Sequence, residues 1–158
     1  MTIKSNFWRF ISSVVVCFSA AALGSISTAS AVTGWYLTIH KPSWTPPSWL
    51  FGPVWTLLYL LMAISLYLVW SKGVTKKTKT ALNLFFVQLG LNLIWSLLFF
   101  GLANFWSAYL EVVALWIFIF LTIKNFRKIS STAAWLMVPY LLWVSFASFL
   151  NLAVAMLN

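Results

Sequence analysis

Charged residues cut this chain into four apolar blocks, 10–39, 42–71, 80–123 and 129–158, and only Glu111 interrupts any of them. Each block is long enough to cross a hydrocarbon core of roughly 30 Å, which takes about 20 helical residues. The third block would be about 66 Å long as one helix at 1.5 Å per residue. It must therefore fold back on itself. The break belongs at Gly101-Leu102-Ala103-Asn104, where a glycine offers a helix stop and an asparagine a new cap. The expectation is an all-α membrane protein, a bundle of five transmembrane helices near 8–31, 51–71, 80–100, 105–123 and 133–156. Residues 1–158 form a single domain on this reading. Composition excludes the alternatives. Only 7% of residues are charged, against roughly 25% in an ordinary soluble domain. With 63% hydrophobic residues, the chain carries far too much apolar surface for intrinsic disorder.

The first block has a second reading. Lys4 and Arg9 precede it, and Ala29-Ser30-Ala31 resembles a signal-peptidase site. The charge-free run is longer than a usual signal core, so a retained first helix is expected. Five spans place Lys4, Arg9, Lys72, Lys76, Lys77, Lys79, Lys124, Arg127 and Lys128 on one side and Lys41 alone on the other. That asymmetry predicts a cytoplasmic N-terminus, with the C-terminus and the first loop outside a bacterial cell membrane. The net charge of +9 then reports orientation, and no nucleic-acid partner is expected. The single Cys17 lies in an apolar run, and no Cys/His cluster has metal spacing, so no metal site is expected.

The first loop, 32–50, holds Pro42, Pro46 and Pro47 among Trp35, Tyr36, Trp44 and Trp49. Such a segment cannot be helix interior, and irregular backbone at membrane depth must face protein, water or a cavity. It reads either as an interfacial connector with headgroup anchors or as a lid over a pocket. Gln88, Asn92, Trp95 and Phe99 share one face of the third helix. That face should look inward, because its amides are costly in lipid. Asn92 could serve helix packing or offer a ligand a polar handle. Trp55, Tyr59 and Met62 form a stripe on the second helix. Pro139, Trp143, Phe146, Ala147 and Leu150 form one on the fifth, which Pro139 should kink. Glu111, the lone acid, reads as a snorkelling or hydrogen-bonded carboxyl or as a protonatable group inside the bundle. His40 could ligate a haem iron, but a lone histidine beside Lys41 reads first as solvated. Helix one carries small residues at helical spacing, Ser13, Cys17, Ala20 or Ala21, Gly24 and Ser27 or Thr28, a face for close packing within or between chains.

Taken in order, several fragments resemble the TspO/translocator-protein family of tryptophan-rich sensory proteins and peripheral-type benzodiazepine receptors. They are Trp35-Tyr36, Lys41-Pro42-Ser43-Trp44, Pro46-Pro47, Trp49, Gly52-Pro53-Val54-Trp55, Leu58-Tyr59, Gln88-Leu89, Leu91-Asn92, Trp95, Pro139-Tyr140-Leu141, Trp143, Phe146-Ala147 and Leu150-Asn151. The resemblance implies a five-helix bundle, usually a homodimer, with a pocket beneath the first loop. It implies protoporphyrin IX or haem as a tetrapyrrole ligand, no intrinsic cofactor, and a stress-linked role in sensing, transporting or regulating porphyrins. Carried over by position, the ligand-binding residues are Trp35, Tyr36, Trp55, Tyr59, Asn92, Trp95, Trp143, Ala147 and Leu150. Some members are credited with light-dependent porphyrin breakdown. Trp55 and Trp143 match the reactive tryptophans of that photochemistry and are the only catalytic candidates. Animal members carry a Tyr-and-Arg cholesterol motif after the asparagine matching Asn151. Here Leu152 to Asn158 contain neither residue type, so a sterol partner is doubtful. No nucleophile–base pair supports conventional catalysis. A ligandless membrane assembly factor is the remaining alternative; a channel is weaker, because no ladder of charge lines the spans.

Overall fold

A computed structural model describes residues 3–158, with side chains from Asn6 onward. Helix α1 is Ile3–Thr33, α2 Ser48–Trp70, α3 Lys76–Ser96, α4 Phe105–Arg127, α5 Ser131–Leu136 and α6 Val138–Leu157. These make five segments long and apolar enough to span a membrane, because α5 and α6 form one span broken at Met137. The break lies where Pro139 removes a backbone donor, so the expected kink is present as a helix interruption. Helix α2 begins three residues earlier than expected. Helix α3 begins four residues earlier, and α4 runs four residues further, to Arg127. Polar and basic ends extend the helices past the apolar blocks, because helix formation outruns the hydrocarbon.

Local chemistry sets these ends. Thr75 and Thr78 form a reciprocal capping box at the start of α3, Thr78 N donating to Thr75 Oγ1 at 3.2 Å and Thr75 N to Thr78 Oγ1 at 2.6 Å. The box satisfies the helix start although Lys76, Lys77 and Lys79 there oppose the helix dipole. Asn104 Oδ1 caps α4 by accepting from Ser107 N at 3.1 Å. Lys124 and Arg127 sit in the last turn of α4, where the dipole favours cations.

The α3–α4 reversal uses its residues differently from the sequence expectation. A π turn, Leu97–Gly101, widens the end of α3, with Leu102 N donating to Leu97 O at 2.9 Å. The left-handed residue is Ala103, at φ 49°, and not the glycine. Gly101 serves close approach instead: a Cβ there would lie 3.4 Å from Ser27 Oγ of α1 and 2.9 Å from Leu97 Cδ1. An alanine in the left-handed region is strained. Ala103→Gly is therefore expected to stabilise the protein by up to about 1 kcal/mol. Thermal unfolding in detergent should show a midpoint about 2–4 °C higher.

Helix α1 lies along α2 and α3. At the basic end its seam with α2 is closed by Arg9 Nη1 donating to Trp70 O at 3.1 Å and by Phe10 set edge-on to Tyr67 at 5.5 Å. Ser13, Cys17 and Ala20 are buried along α1. Further along, Ser96 Oγ donates to Gly24 O at 2.9 Å. The small face of α1 is thus used within the chain. Phe85 of α3 and Phe126 of α4 stack at 5.8 Å with both side chains fully buried. Ser65 Oγ of α2 donates to Ala133 O of α5 at 2.7 Å, satisfying a hydroxyl in the core.

Candidate functional site: an aromatic pocket under the first loop

The segment between α1 and α2 folds over the bundle end. Trp35–Leu37 form a single 3-10 turn that drives Tyr36 inward until it is 2% exposed. Its ring meets Phe100 at 5.7 Å. Lys41 Nζ donates to Tyr36 O and lies 4.7 Å above the Tyr36 ring centroid. Burial pushes the Tyr36 phenol above its ordinary range. Trp44 packs edge-on against Phe146 of α6 at 5.7 Å. His40 N donates to Asn158 Oδ1 at 3.0 Å, and Asn158 Nδ2 returns a bond to His40 O at 2.9 Å.

Two cavities lie beneath. The outer one, about 600 Å³, runs between α1, α2 and α3, and Trp55, Tyr59, Asn92 and Trp95 line it. The inner one, about 30 Å³, is walled by Tyr36, Trp55, Trp95, Trp143, Ala147 and Leu150. Phe51, Phe100 and Thr28 border both, as do Trp55 and Trp95. The Trp55 and Trp95 rings stand 6.4 Å apart, and Trp95 stacks on Phe99 at 5.5 Å. The inner space holds little more than a water, whereas the outer falls within the usual 300–1,000 Å³ of ligand pockets.

Two hydrogen-bonded sets brace the walls. Tyr59 O–H donates to Asn92 Oδ1 at 2.5 Å, and Asn92 Nδ2 donates to the Tyr140 hydroxyl at 3.1 Å. Trp95 Nε1–H donates to Asn151 Oδ1 at 3.1 Å, and Asn151 Nδ2 donates to Phe105 O at 2.9 Å. Each amide joins three spans and prevents a buried polar group from going unpaired.

A tryptophan pocket braced by Asn92 and Asn151 under a proline-rich loop agrees with the comparison to known proteins, in which residues 13–157 match the TspO/MBR family. The chain belongs to the TspO/MBR family. It is 43% identical over 153 residues to the tryptophan-rich protein TspO of Archaeoglobus fulgidus, covering 97% of this chain and 99% of that one. It is 32% identical to the tryptophan-rich sensory protein of Cereibacter sphaeroides, covering 94% and 90%. The translocator protein of Homo sapiens is 38% identical, covering 76% of this chain and 72% of its own. The TspO/MBR chain is a multi-pass integral membrane protein.

Within this TspO/MBR pocket, eight of the nine residues singled out from sequence line one cavity or both. Trp35 lines neither: its ring lies against Phe105 at 5.8 Å and Tyr36 at 6.1 Å, supporting the roof from outside. Both polar ends of Asn92 are engaged by tyrosines, so it presents a braced edge to the cavity. His40 lines neither cavity. Both Glu111 carboxylate oxygens are buried without a hydrogen-bond partner among the described residues. Sequence reasoning missed the α1 wall, Phe18, Ala21, Gly24, Ser25, Thr28 and Val32. Of these, Ala21, Gly24 and Thr28 belong to the small-residue stripe legible in the sequence, but such a stripe signals packing as readily as a cavity. Phe51, Phe100 and Asn151 were also missed as walls.

Proposed function

We propose that this TspO/MBR protein binds a tetrapyrrole, protoporphyrin IX or haem, between its aromatic walls, and acts as a membrane sensor or transporter of porphyrins. The observation that carries this reading is the 600 Å³ cavity faced by Trp55, Trp95, Phe51 and Phe100 at membrane depth. Flat aromatic faces suit a planar apolar macrocycle. None of the lining residues of either cavity is His, Cys or Met. With the Tyr59 hydroxyl engaged by Asn92 and Tyr36 buried in the roof, recognition falls on the ring faces, which suit metal-free protoporphyrin as well as haem. The names of the relatives, a sensory protein and a translocator, support the sensing and transport roles. The basic end would face the cytoplasm under the positive-inside rule.

Purified protein should show saturable, micromolar quenching of tryptophan fluorescence by protoporphyrin IX in the dark. Trp95→Ala should weaken that binding by about tenfold, the worth of one lost aromatic contact. Absence of saturable quenching would overturn the proposal. A second reading, light-driven porphyrin breakdown, is favoured by Trp55, which faces the outer cavity, and by Trp143, which stands behind it across the small inner chamber. In light, Trp55→Phe combined with Trp143→Phe should abolish product in mass spectra. Persistent conversion would exclude these indoles as the reactive groups.

A further inference from the structure

We propose that the ligand reaches this pocket sideways from the bilayer, through a window between α1 and α2, and not from water beneath the first loop. The inference rests on the tetrapyrrole reading and concerns its route.

The roof is fastened at several points. Asn158 holds both the N–H and the carbonyl of His40. Lys41 ties to the Tyr36 carbonyl and covers its ring. Trp44 is set on Phe146 of α6. Opening from above must break all of these and expose the buried Tyr36.

The sides differ from one another. Between α1 and α3 the loop end is closed. Ser96 Oγ donates to Gly24 O at 2.9 Å and pairs with Thr28 Oγ1 at 3.1 Å, and Gly101 lies against Ser27. Between α1 and α2 the basic end is closed by Arg9 on Trp70 and Phe10 on Tyr67. Towards the loop end that seam parts. The outer cavity runs along α1 from Phe18 to Thr33, about 22 Å at 1.5 Å per residue.

Its rim is exposed within the spans. Ala22, Ser25, Ala29 and Thr33 of α1, and Gly52 and Thr56 of α2, all line the cavity and all are exposed. These residues are small, so nothing bulky bars the gap. Their hydroxyls are already satisfied by their own helices: Ser25 Oγ donates to Ala22 O at 2.7 Å, Thr33 Oγ1 to Ala29 O at 3.0 Å and Thr56 Oγ1 to Gly52 O at 2.9 Å. A doorway lined this way leaves no side-chain donor unpaired before lipid. It suits a flat amphiphile already dissolved in the membrane, which slides edge-first between the helices until it meets Trp55 and Trp95.

The test follows association by stopped-flow tryptophan quenching. Full-length protein in nanodiscs is mixed with vesicles preloaded with protoporphyrin IX. Gly52→Leu and Ser25→Leu each narrow the window. An added Cβ at Gly52 meets nothing within 4 Å, so that variant should fold. Each should slow association by about tenfold or more, with dissociation slowed alongside, as for a narrowed doorway and not a lost contact. In a separate arm, His40→Cys and Asn158→Cys are joined by a short crosslinker; the buried Cys17 is shielded from it. Locking the roof should leave the association rate within about twofold of the uncrosslinked protein. Unchanged association in both window variants would overturn the lateral route. So would a large slowing on crosslinking the roof. If the unmodified protein shows no saturable quenching, the tetrapyrrole reading fails first and the route falls with it.

Discussion

Asn92→Leu is expected to destabilise the protein by about 1–3 kcal/mol. The substitution nearly keeps the volume but removes two hydrogen bonds at the centre of the bundle. Tyr59 loses the acceptor it meets at 2.5 Å, and the Tyr140 hydroxyl loses its donor at 3.1 Å. Both tyrosines are buried, at 5% and 0% exposure, so neither hydroxyl can turn to water. Most of the cost comes from stranding these partners. Adding Tyr59→Phe and Tyr140→Phe to Asn92→Leu should therefore recover much of the loss, since replacing every polar partner by apolar groups can be nearly neutral. Thermal unfolding of the single and triple variants in one detergent measures this. A triple variant no more stable than Asn92→Leu alone would show that the network is not the source of the effect. Tyr59 and Asn92 also line the outer cavity, so Asn92→Leu should weaken protoporphyrin binding as the wall loosens.

Phe85→Ala should cost more, about 3–5 kcal/mol. Phe85 is fully buried and stacks at 5.8 Å and 8° on Phe126, itself fully buried. Truncation leaves a ring-sized void between α3 and α4, remote from lipid that could fill it, and the loss is one of close packing. Phe85→Leu should cost markedly less, because much of the volume returns. Phe85 lines neither cavity. Protoporphyrin affinity of the folded Phe85→Ala protein should thus stay within about twofold, as expected for separated sites. A loss of affinity alongside stability would mean that the α3–α4 core and the pocket are coupled.

The spans were legible because one physical rule dominates. Unpaired charge is expelled from hydrocarbon, so Lys and Arg cluster near the helix ends and mark the spans almost by themselves, with Glu111 inside α4 the exception. The cap at Asn104 was local and equally readable, whereas those at Thr75 and Ser130 emerged only in the structure. Much of the pocket was legible for a related reason. Trp55, Trp95 and Trp143 repeat on inward stripes, and amides such as Asn92 must avoid lipid. Ala103 was not legible, because alanine carries no signal for a left-handed conformation. It is held there by the π turn before it and the Asn104 cap after it. Trp35 and Tyr36 are neighbours with similar side chains, yet only Tyr36 lines the pocket. The 3-10 turn chooses between them.

From sequence alone came the membrane, five crossings, and the residue types that could wall a pocket, since bilayer thickness and the cost of buried polarity act on composition and spacing. Only the tertiary structure decided that the small face of α1 is a pocket wall, that Asn92 and Asn151 are occupied by Tyr59, Tyr140, Trp95 and Phe105, and that the roof is latched while the α1–α2 seam parts. These depend on distances between residues far apart in the chain. Small side chains permit either contact or a gap, and only the placement of the neighbouring helix determines which.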